Sequence, residues 1–438
     1  MSKISNWGKY PVVAGPELSN PAYIPAPGEG SWIPRGMGRC YGDSSLGETM
    51  ISSLKLDRML DFDEQNGILT CEAGVTYEDL LATFVPKGWF PPVTPGTKFV
   101  SLGGALASDV HGKNHHKEGS ISAYVLSFDL LLPAGSVVSC SRSENQELFW
   151  ATVGGMGLTG MILRLRIQLK AIETSAIKYH NIKAGSLAEI LALFDEFGQA
   201  TYSVAWIDTI AGGRKRGRSI LMKGEHASKE ETKGSAWEKT PLALPKKLPL
   251  TVPFNFPSFA LNPLTISIFN TLYYGKQLKH QKEGIMDYDS FFYPLDAIHH
   301  WNRIYGKRGF TQYQFVVPRE AGAEAIETVL KHMKKHRMGS FLSVLKLLGP
   351  SSGLISFPME GYTLTLDFPI KKNLFPFLHE LDEMVKGWGG RVYLTKDVRM
   401  QPAMMEATYP GVETFRALRR EIDPEKRVLS FQAKRLNL

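Results

Sequence analysis

Between Thr94 and Ser120 the chain reads TPGTKFVSLGGALASDVHGKNHHKEGS, and nowhere else do so many glycines meet so many ionisable side chains. Gly96, Gly103, Gly104, Gly112 and Gly119, with Ala105, Ala107 and Ser108, leave backbone amides uncovered, so a large ligand can approach the main chain. His111, Lys113, His115 and His116 add up to four potential cations on one short loop, suited to a buried redox ligand or an anionic substrate. A packed Gly/Ala turn followed by a solvated basic loop would carry the same letters. No Cys or carboxylate stands at ligand spacing beside these histidines, and no metal is expected.

Two further glycine clusters flank this stretch. Arg35 to Ser44 reads RGMGRCYGDS, and Gly155 to Gly160 reads GMGLTG. The second matches the dinucleotide fingerprint G-x-G-x-x-G, but that fingerprint works only when a strand enters the turn and a helix leaves it. Here a helix carrying Leu148, Phe149 and Trp150 precedes the glycines, and Met161 to Leu169 alternates as a strand with Arg164 and Arg166 on its polar face. A Rossmann fold is rejected on that order.

The elements that position these loops follow from periodicity. Tyr10 to Pro34 is proline-rich and reads as an extended entry segment. Ile51 to Phe62 and Ile68 to Ala73 alternate like strands about a turn at Asp63 to Gly67, and Thr76 can cap a helix from Tyr77 to Val85. Tyr124 to Leu132 and Ser136 to Ser139 form a hairpin about Pro133-Ala134-Gly135, followed by a helix that Ser143 and Gln146 could box. Helices are expected over Ser186 to Phe197, Ala321 to Lys335 and Val412 to Ile422. The class is α+β.

At 438 residues the chain exceeds what one core usually holds, so two domains are expected, one inserted in the other. The 51 Lys and Arg outnumber the 43 Asp and Glu, which suits an anionic partner without choosing among phosphate, nucleic acid and membrane. Cys40, Cys71 and Cys140 are too few and scattered for a disulfide framework or a zinc site. With no signal peptide and no apolar run of transmembrane length, a cytoplasmic location is expected.

Three glycine loops joined to strands resemble the FAD-binding domain of the vanillyl-alcohol oxidase and p-cresol methylhydroxylase type. Within that superfamily the segments GRCYGDS from Gly38, Asp109 to His116, TQYQFVVP from Thr311, FLSVLKLLG from Phe341 and YLTKDVR from Tyr393 resemble the decaprenylphosphoryl-ribose 2'-oxidase family. The resemblance implies a two-domain fold: a flavin domain over 1–170, a substrate domain over 171–389 and a return to the flavin domain over 390–438. It also implies cofactor contacts from Arg35, Gly36, Met37, Gly38, Arg39, Cys40, Tyr41, Gly42, Asp43, Ser44, Gly96, Ser101, Leu102, Gly103, Gly104, Ser108, Asp109, Val110, His111, Ile162 and Tyr393. Leu102, Val110 and Ile162 read equally well as plain core. Tyr41 stands where covalent relatives carry a flavin-linking histidine, so noncovalent FAD is expected.

The implied reaction removes two electrons and two protons from a sugar secondary hydroxyl, the 2'-hydroxyl of a polyprenyl-phosphoryl ribose, with a separate NAD(P)H-dependent short-chain reductase completing an epimerisation. Lys396 is the candidate for stabilising charge on the reduced flavin, with His111, Tyr41 and Lys113 in the reacting centre. Lys346, Gln314, Gln312, Thr363 and Thr365 are the substrate-side candidates. Thr363 and Thr365 replace an asparagine and a cysteine of the mycobacterial enzymes, which leaves the exact substrate open.

Gly212 to Leu250 carries Arg214, Lys215, Arg216, Arg218, Lys246 and Lys247, and Leu248 to Tyr274 is apolar and aromatic, punctuated by Pro249, Pro253, Pro257 and Pro263. Together, residues 212–274 read as a mobile loop suited to an anionic membrane surface, or as a long loop packed on its own domain. No nucleic-acid module accompanies the basic run, so nucleic acid is not an expected partner. A soluble aldonolactone or alditol oxidase, and a non-catalytic membrane-binding protein on the same fold, are the competing readings.

Overall fold

Alternating apolar and polar residues build two large antiparallel sheets in a computed structural model that describes residues 3–19, 29–247, 250–257 and 259–438. The middle of the expected entry segment, 20–28, lies outside the described residues. Its end forms β1 (Trp32–Arg35), which pairs in parallel with β2 (Thr49–Ser52). The single strand expected over Ile51 to Phe62 is divided. A turn closed by Leu56 N–H on the Ser53 carbonyl at 2.9 Å ends β2 and sends β3 (Met59–Asp63) into a different sheet.

That sheet continues with β4 (Ile68–Glu72). Thr76 and Asp79 close a reciprocal capping box on α1 (Tyr77–Phe84), satisfying two otherwise orphaned amides. α2 (Leu102–Ala107) runs through the central glycine segment. β5 (Val125–Leu131) and β6 (Val137–Ser141) form the expected hairpin, with Leu131 opposite Val137. The box expected between Ser143 and Gln146 does not form. The Ser143 amide and hydroxyl are bound to Ser141 Oγ instead, at 3.2 and 3.3 Å, and Asn145 enters α3 (Gln146–Thr152) at φ 48 without a side-chain cap. β7 (Met161–Gln168) leaves the glycine cluster as a strand, and the order is β6-β5-β7-β4-β3.

The second sheet has eight strands. In chain order its elements are β8 (Ala176–Ala184), α4 (Leu187–Glu196), β9 (Tyr202–Ile207), β10 (Ser219–His226), α5 (Pro263–Lys276), β11 (Gln281–Asp287), β12 (Phe310–Val317), α6 (Gly322–Lys335), β13 (Ser343–Leu348), β14 (Gly361–Pro369), α7 (Leu374–Gly387) and β15 (Arg391–Val392). The strand order is β11-β8-β10-β9-β13-β14-β12-β15, with every neighbouring pair antiparallel. One face carries Tyr313, Phe315, Leu345, Leu364 and Leu366, which share a core with Ile326, Val329, Leu330 and Met333 of α6 and Phe377, Leu378 and Leu381 of α7. The opposite face is polar and carries the site described below. The chain's end turns back on the first sheets: Leu429 N–H bonds the Trp32 carbonyl, and α8 (Val412–Ile422) sets Leu418 and Ile422 against the core of the five-stranded sheet.

The segment 212–274 differs from the long basic loop expected. Ser219–His226 is the interior strand β10, and three of the basic side chains have internal partners: Arg216 with Glu327 at 3.2 Å, Arg218 with Asp208 at 2.8 Å, and Lys247 with Asp287 and Asp289 at 2.9 and 2.8 Å. Arg214, Lys215 and Lys246 remain exposed. Residues 248, 249 and 258 of this stretch lie outside the described residues. Pro263 opens α5 behind an Asn262 cap, a position where its missing amide costs nothing. Among the described residues no helix is long and apolar enough to cross a membrane.

Candidate active site

Directly opposed residues of antiparallel strands project to the same side of a sheet, so register alone assembles the polar face. Gln312 stands opposite Asp367, Gln314 opposite Thr365, and Lys346 opposite Thr363. All five sequence-predicted substrate-side residues therefore share one face of β12, β13 and β14. Asp367, not anticipated there, is fully buried. Its Oδ1 accepts from Gln312 Nε2 at 2.6 Å and its Oδ2 from Tyr305 O–H at 3.1 Å, while burial raises its pKa to about 6. The period-two run Thr363-x-Thr365-x-Asp367 was the signal that could have placed this acid.

Residues from the glycine loops cover this face. Tyr41 packs edge-on against Phe310 and its hydroxyl accepts from Gln312 Nε2 at 3.3 Å. Lys396 Nζ lies 4.1 Å from the centroid of the Tyr41 ring. His111 is buried, with Nε2 accepting from Gln314 Nε2 at 2.9 Å, and the same amide reaches Thr363 Oγ1 at 3.2 Å. Lys113 Nζ bonds the Phe291 carbonyl and sits 4.2 Å over the Phe291 ring. The four predicted catalytic residues and the sheet residues thus meet in one place.

Burial sets the charges. His111 is held well below the usual imidazole range by desolvation and then by Lys346, His115 and Lys396, so its ring is neutral. Lys113 is lowered to about 7 by burial and Lys346; Lys346 to about 8 by burial; and Lys396 to about 8 by burial, against the attraction of Asp367. Of the loop's four potential cations, the three histidines are driven toward the neutral form by burial. His115, whose Nδ1 accepts from Gly349 N–H at 3.0 Å, is buried and lowered to about 3, and burial also lowers His116, bound to the Ala200 carbonyl at 2.9 Å. The cations that converge are lysines drawn from three distant stretches of chain.

The predicted cofactor residues divide by what they touch. The Arg35 guanidinium is committed to Glu17 at 3.3 Å and to Asn6, Ser45 and the Ser5 carbonyl, so it braces its loop. Gly38, at φ +60, lies against that guanidinium, where a Cβ would fall 2.4 Å from Nη2. Asp43 pairs with Arg435 at 2.7 Å. Arg39 instead stacks 4.2 Å over Trp7, beside Phe99. Leu102, Val110 and Ile162 are buried in the core of the five-stranded sheet. Tyr393 stacks on Phe357 and donates to the Ser108 carbonyl at 2.7 Å. Asp109, at φ +40, accepts from Ser351 and Ser356 through Oδ2.

The residues present fit a large anionic redox cofactor. Ser101 Oγ, Asp109 Oδ1 and His111 Nδ1 are buried without hydrogen-bond partners, and Gly96 opens onto free space. Among the described residues Lys346 makes no salt bridge, Lys113 feels only the like charge of Lys346, and Lys396 alone is drawn to a buried carboxylate, Asp367. Such an excess of desolvated positive charge calls for a ligand that brings negative charge. Ser101, Gly96, the Gly103-Gly104 turn and the Arg35–Ser44 loop would hold that ligand beside the polar face.

The FAD binding domain family model matches residues 29–141. Over the full chain the protein is 37% identical to a decaprenylphosphoryl-beta-D-ribose oxidase of Mycolicibacterium smegmatis, covering 100% of this chain and 97% of that one. It is 32% identical to a protein encoded in the mprA 5' region of Streptomyces coelicolor, over 83% of this chain and 100% of that one. A more local likeness, 28% identity over 31% of each chain, links it to a D-lactate dehydrogenase of Anaerostipes hadrus.

Proposed function

Because the chain belongs to the decaprenylphosphoryl-beta-D-ribose oxidase family of FAD-binding oxidoreductases, we propose that it oxidises the 2'-hydroxyl of a polyprenyl-phosphoryl ribose to the 2'-keto form. The observation that carries this reading is the convergence of Lys113, Lys346 and Lys396 with His111, Tyr41, Gln312 and Gln314 on one buried polar face. FAD, when bound noncovalently, supplies the two-electron oxidant for a secondary alcohol.

The chain's own groups do the rest. Lys113 and Lys346 bind the phosphate of the substrate; with pKa values of about 7 and 8, their charge is strengthened when an anion arrives. Lys396 lends positive charge where negative charge develops, and the Tyr41 ring and Asp367 hold it in place. The hydroxyl proton has an open acceptor at neutral pH in the Asp367 carboxylate; the one lone pair of His111, at Nε2, is taken by the Gln314 amide and accepts the proton only once that amide turns to the substrate. Gln314 and Gln312 orient those acceptors, and Phe291, Phe357 and Tyr393 exclude water.

In this reading residues 1–170 and 390–438 hold the flavin and 171–389 the substrate, and a separate NAD(P)H-dependent reductase consumes the keto product. Leu264, Ile268 and Leu272, spaced four apart on α5, are 69%, 52% and 68% exposed beside exposed Phe254, Phe256 and Phe259. This apolar surface, with Arg214, Lys215 and Lys246 exposed elsewhere in the same segment, supports docking at an anionic membrane, the source of a polyprenyl substrate. Product analysis tests the reaction: incubation with polyprenyl-phosphoryl ribose should yield a carbonyl at C2' that borodeuteride reduction labels at that carbon. Label at another carbon, or none, would contradict the assignment.

A further inference from the structure

Three metal-ligating side chains meet on the helical layer behind the eight-stranded sheet, far from the polar face. His332 and His336 are four residues apart at the end of α6, so both imidazoles leave the same side of the helix, with ring centroids 4.3 Å apart. Glu380 of α7 reaches between them. Its Oε2 lies 2.8 Å from His332 Nε2 and 3.6 Å from His336 Nε2, and one ligand atom of each residue lies within 4.8 Å of the other two.

The carriers are fixed. The His332 ring stacks on Phe377 at 5.4 Å and an interplanar angle of 10°, and Phe377 sits one turn before Glu380 on α7. His332 Nε2 is buried and makes no hydrogen bond of good geometry despite its close approach to Glu380. The side chains are 12%, 33% and 49% exposed for His332, His336 and Glu380, so an ion can enter from solvent and water can complete its shell.

We propose that His332, His336 and Glu380 form a binding site for a divalent transition metal of the zinc class, which clamps α6 to α7. Two imidazoles and one carboxylate are a donor set for Zn²⁺, whose ligands sit at roughly 2.0–2.2 Å and leave a fourth position for water. Mg²⁺ and Ca²⁺ prefer oxygen ligands throughout and are excluded by the same set. Neither the histidines at 111–116 nor the three cysteines take part: this site needs a carboxylate 44 residues after its second histidine, supplied by helix packing. Because α6 and α7 back the strands that carry Gln312, Gln314 and Asp367, the metal is structural and leaves the chemistry to the opposite face.

The test is a calorimetric titration of ZnCl₂ into the tag-free, FAD-loaded full chain, with MgCl₂ as the comparison. One Zn²⁺ per chain should bind and raise Tm, Mg²⁺ should do neither, and His336→Ala or Glu380→Gln should each weaken Zn²⁺ binding by at least ~10-fold. Both positions are partly exposed, so the variants should keep the flavin spectrum and turnover of the parent, which verifies their fold. Absence of Zn²⁺ binding to the parent, or unchanged affinity in both folded variants, would overturn the assignment.

Discussion

Lys396, Lys346 and Asp367 set the protonation of the buried polar face, and their effects have definite signs. Lys396→Ala should retain FAD yet slow anaerobic flavin reduction at least ~100-fold, the scale of one lost preorganised charge contact; a stopped-flow trace at the parental rate would remove Lys396 from the mechanism. Lys113, lowered to about 7, and Lys396 and Lys346, lowered to about 8, lose their charge in turn, so kcat/KM should begin to fall near pH 7 and fall further as pH rises through about 8. Asp367 opposes the lowering of Lys396, so Asp367→Asn should move that fall to lower pH. A shift of the alkaline limb upward would contradict the pairing. His111 and Lys113 stood out in the sequence because chemistry-bearing residues cluster there, whereas Asp367 sits in an apolar strand and acquires its role from Gln312 and Tyr305, 55 and 62 residues away along the chain.

At the scale of elements, strand register brings Gln312, Gln314, Lys346, Thr363 and Asp367 to one face, and tight loop crossings hold the covering residues against it. Gly42 is one such crossing: an added Cβ would lie 1.9 Å from the Asp397 carbonyl oxygen, one residue from Lys396. Gly42→Ala should therefore lower Tm and the FAD content of purified protein, read by thermal melting and the flavin absorbance, because backbone rather than a flexible side chain must move. Leu330→Ala in α6 should cost roughly 2–5 kcal/mol in denaturant unfolding, the range for a buried leucine truncated in a packed core. Periodicity made α1, α6, α8 and the β5–β6 hairpin readable, since each buries a regular stripe. The break after β2 and the interior strand β10 escaped it, because a short turn interrupts an apolar run in one case and distant acids neutralise the flanking arginines in the other.

In the whole molecule an FAD-binding domain meets a sheet whose polar face gathers three buried lysines, with an apolar α5 surface outside. Replacing Leu264, Ile268 and Leu272 together by Glu should abolish co-sedimentation with anionic vesicles while leaving turnover of a detergent-dispersed substrate intact, because these side chains face outward and make no part of the active site. Family and cofactor were readable from the glycine loops and their order, while the division of labour among charges was not, because it depends on burial. The most direct measurement is the anaerobic visible spectrum of the purified protein with polyprenyl-phosphoryl ribose and, separately, with a free alditol or aldonolactone. A yellow protein is expected, whose flavin is released on denaturation and whose absorbance near roughly 450 nm is bleached by the lipid-linked sugar alone. Bleaching by the free sugar and not by the lipid-linked ribose would contradict this expectation.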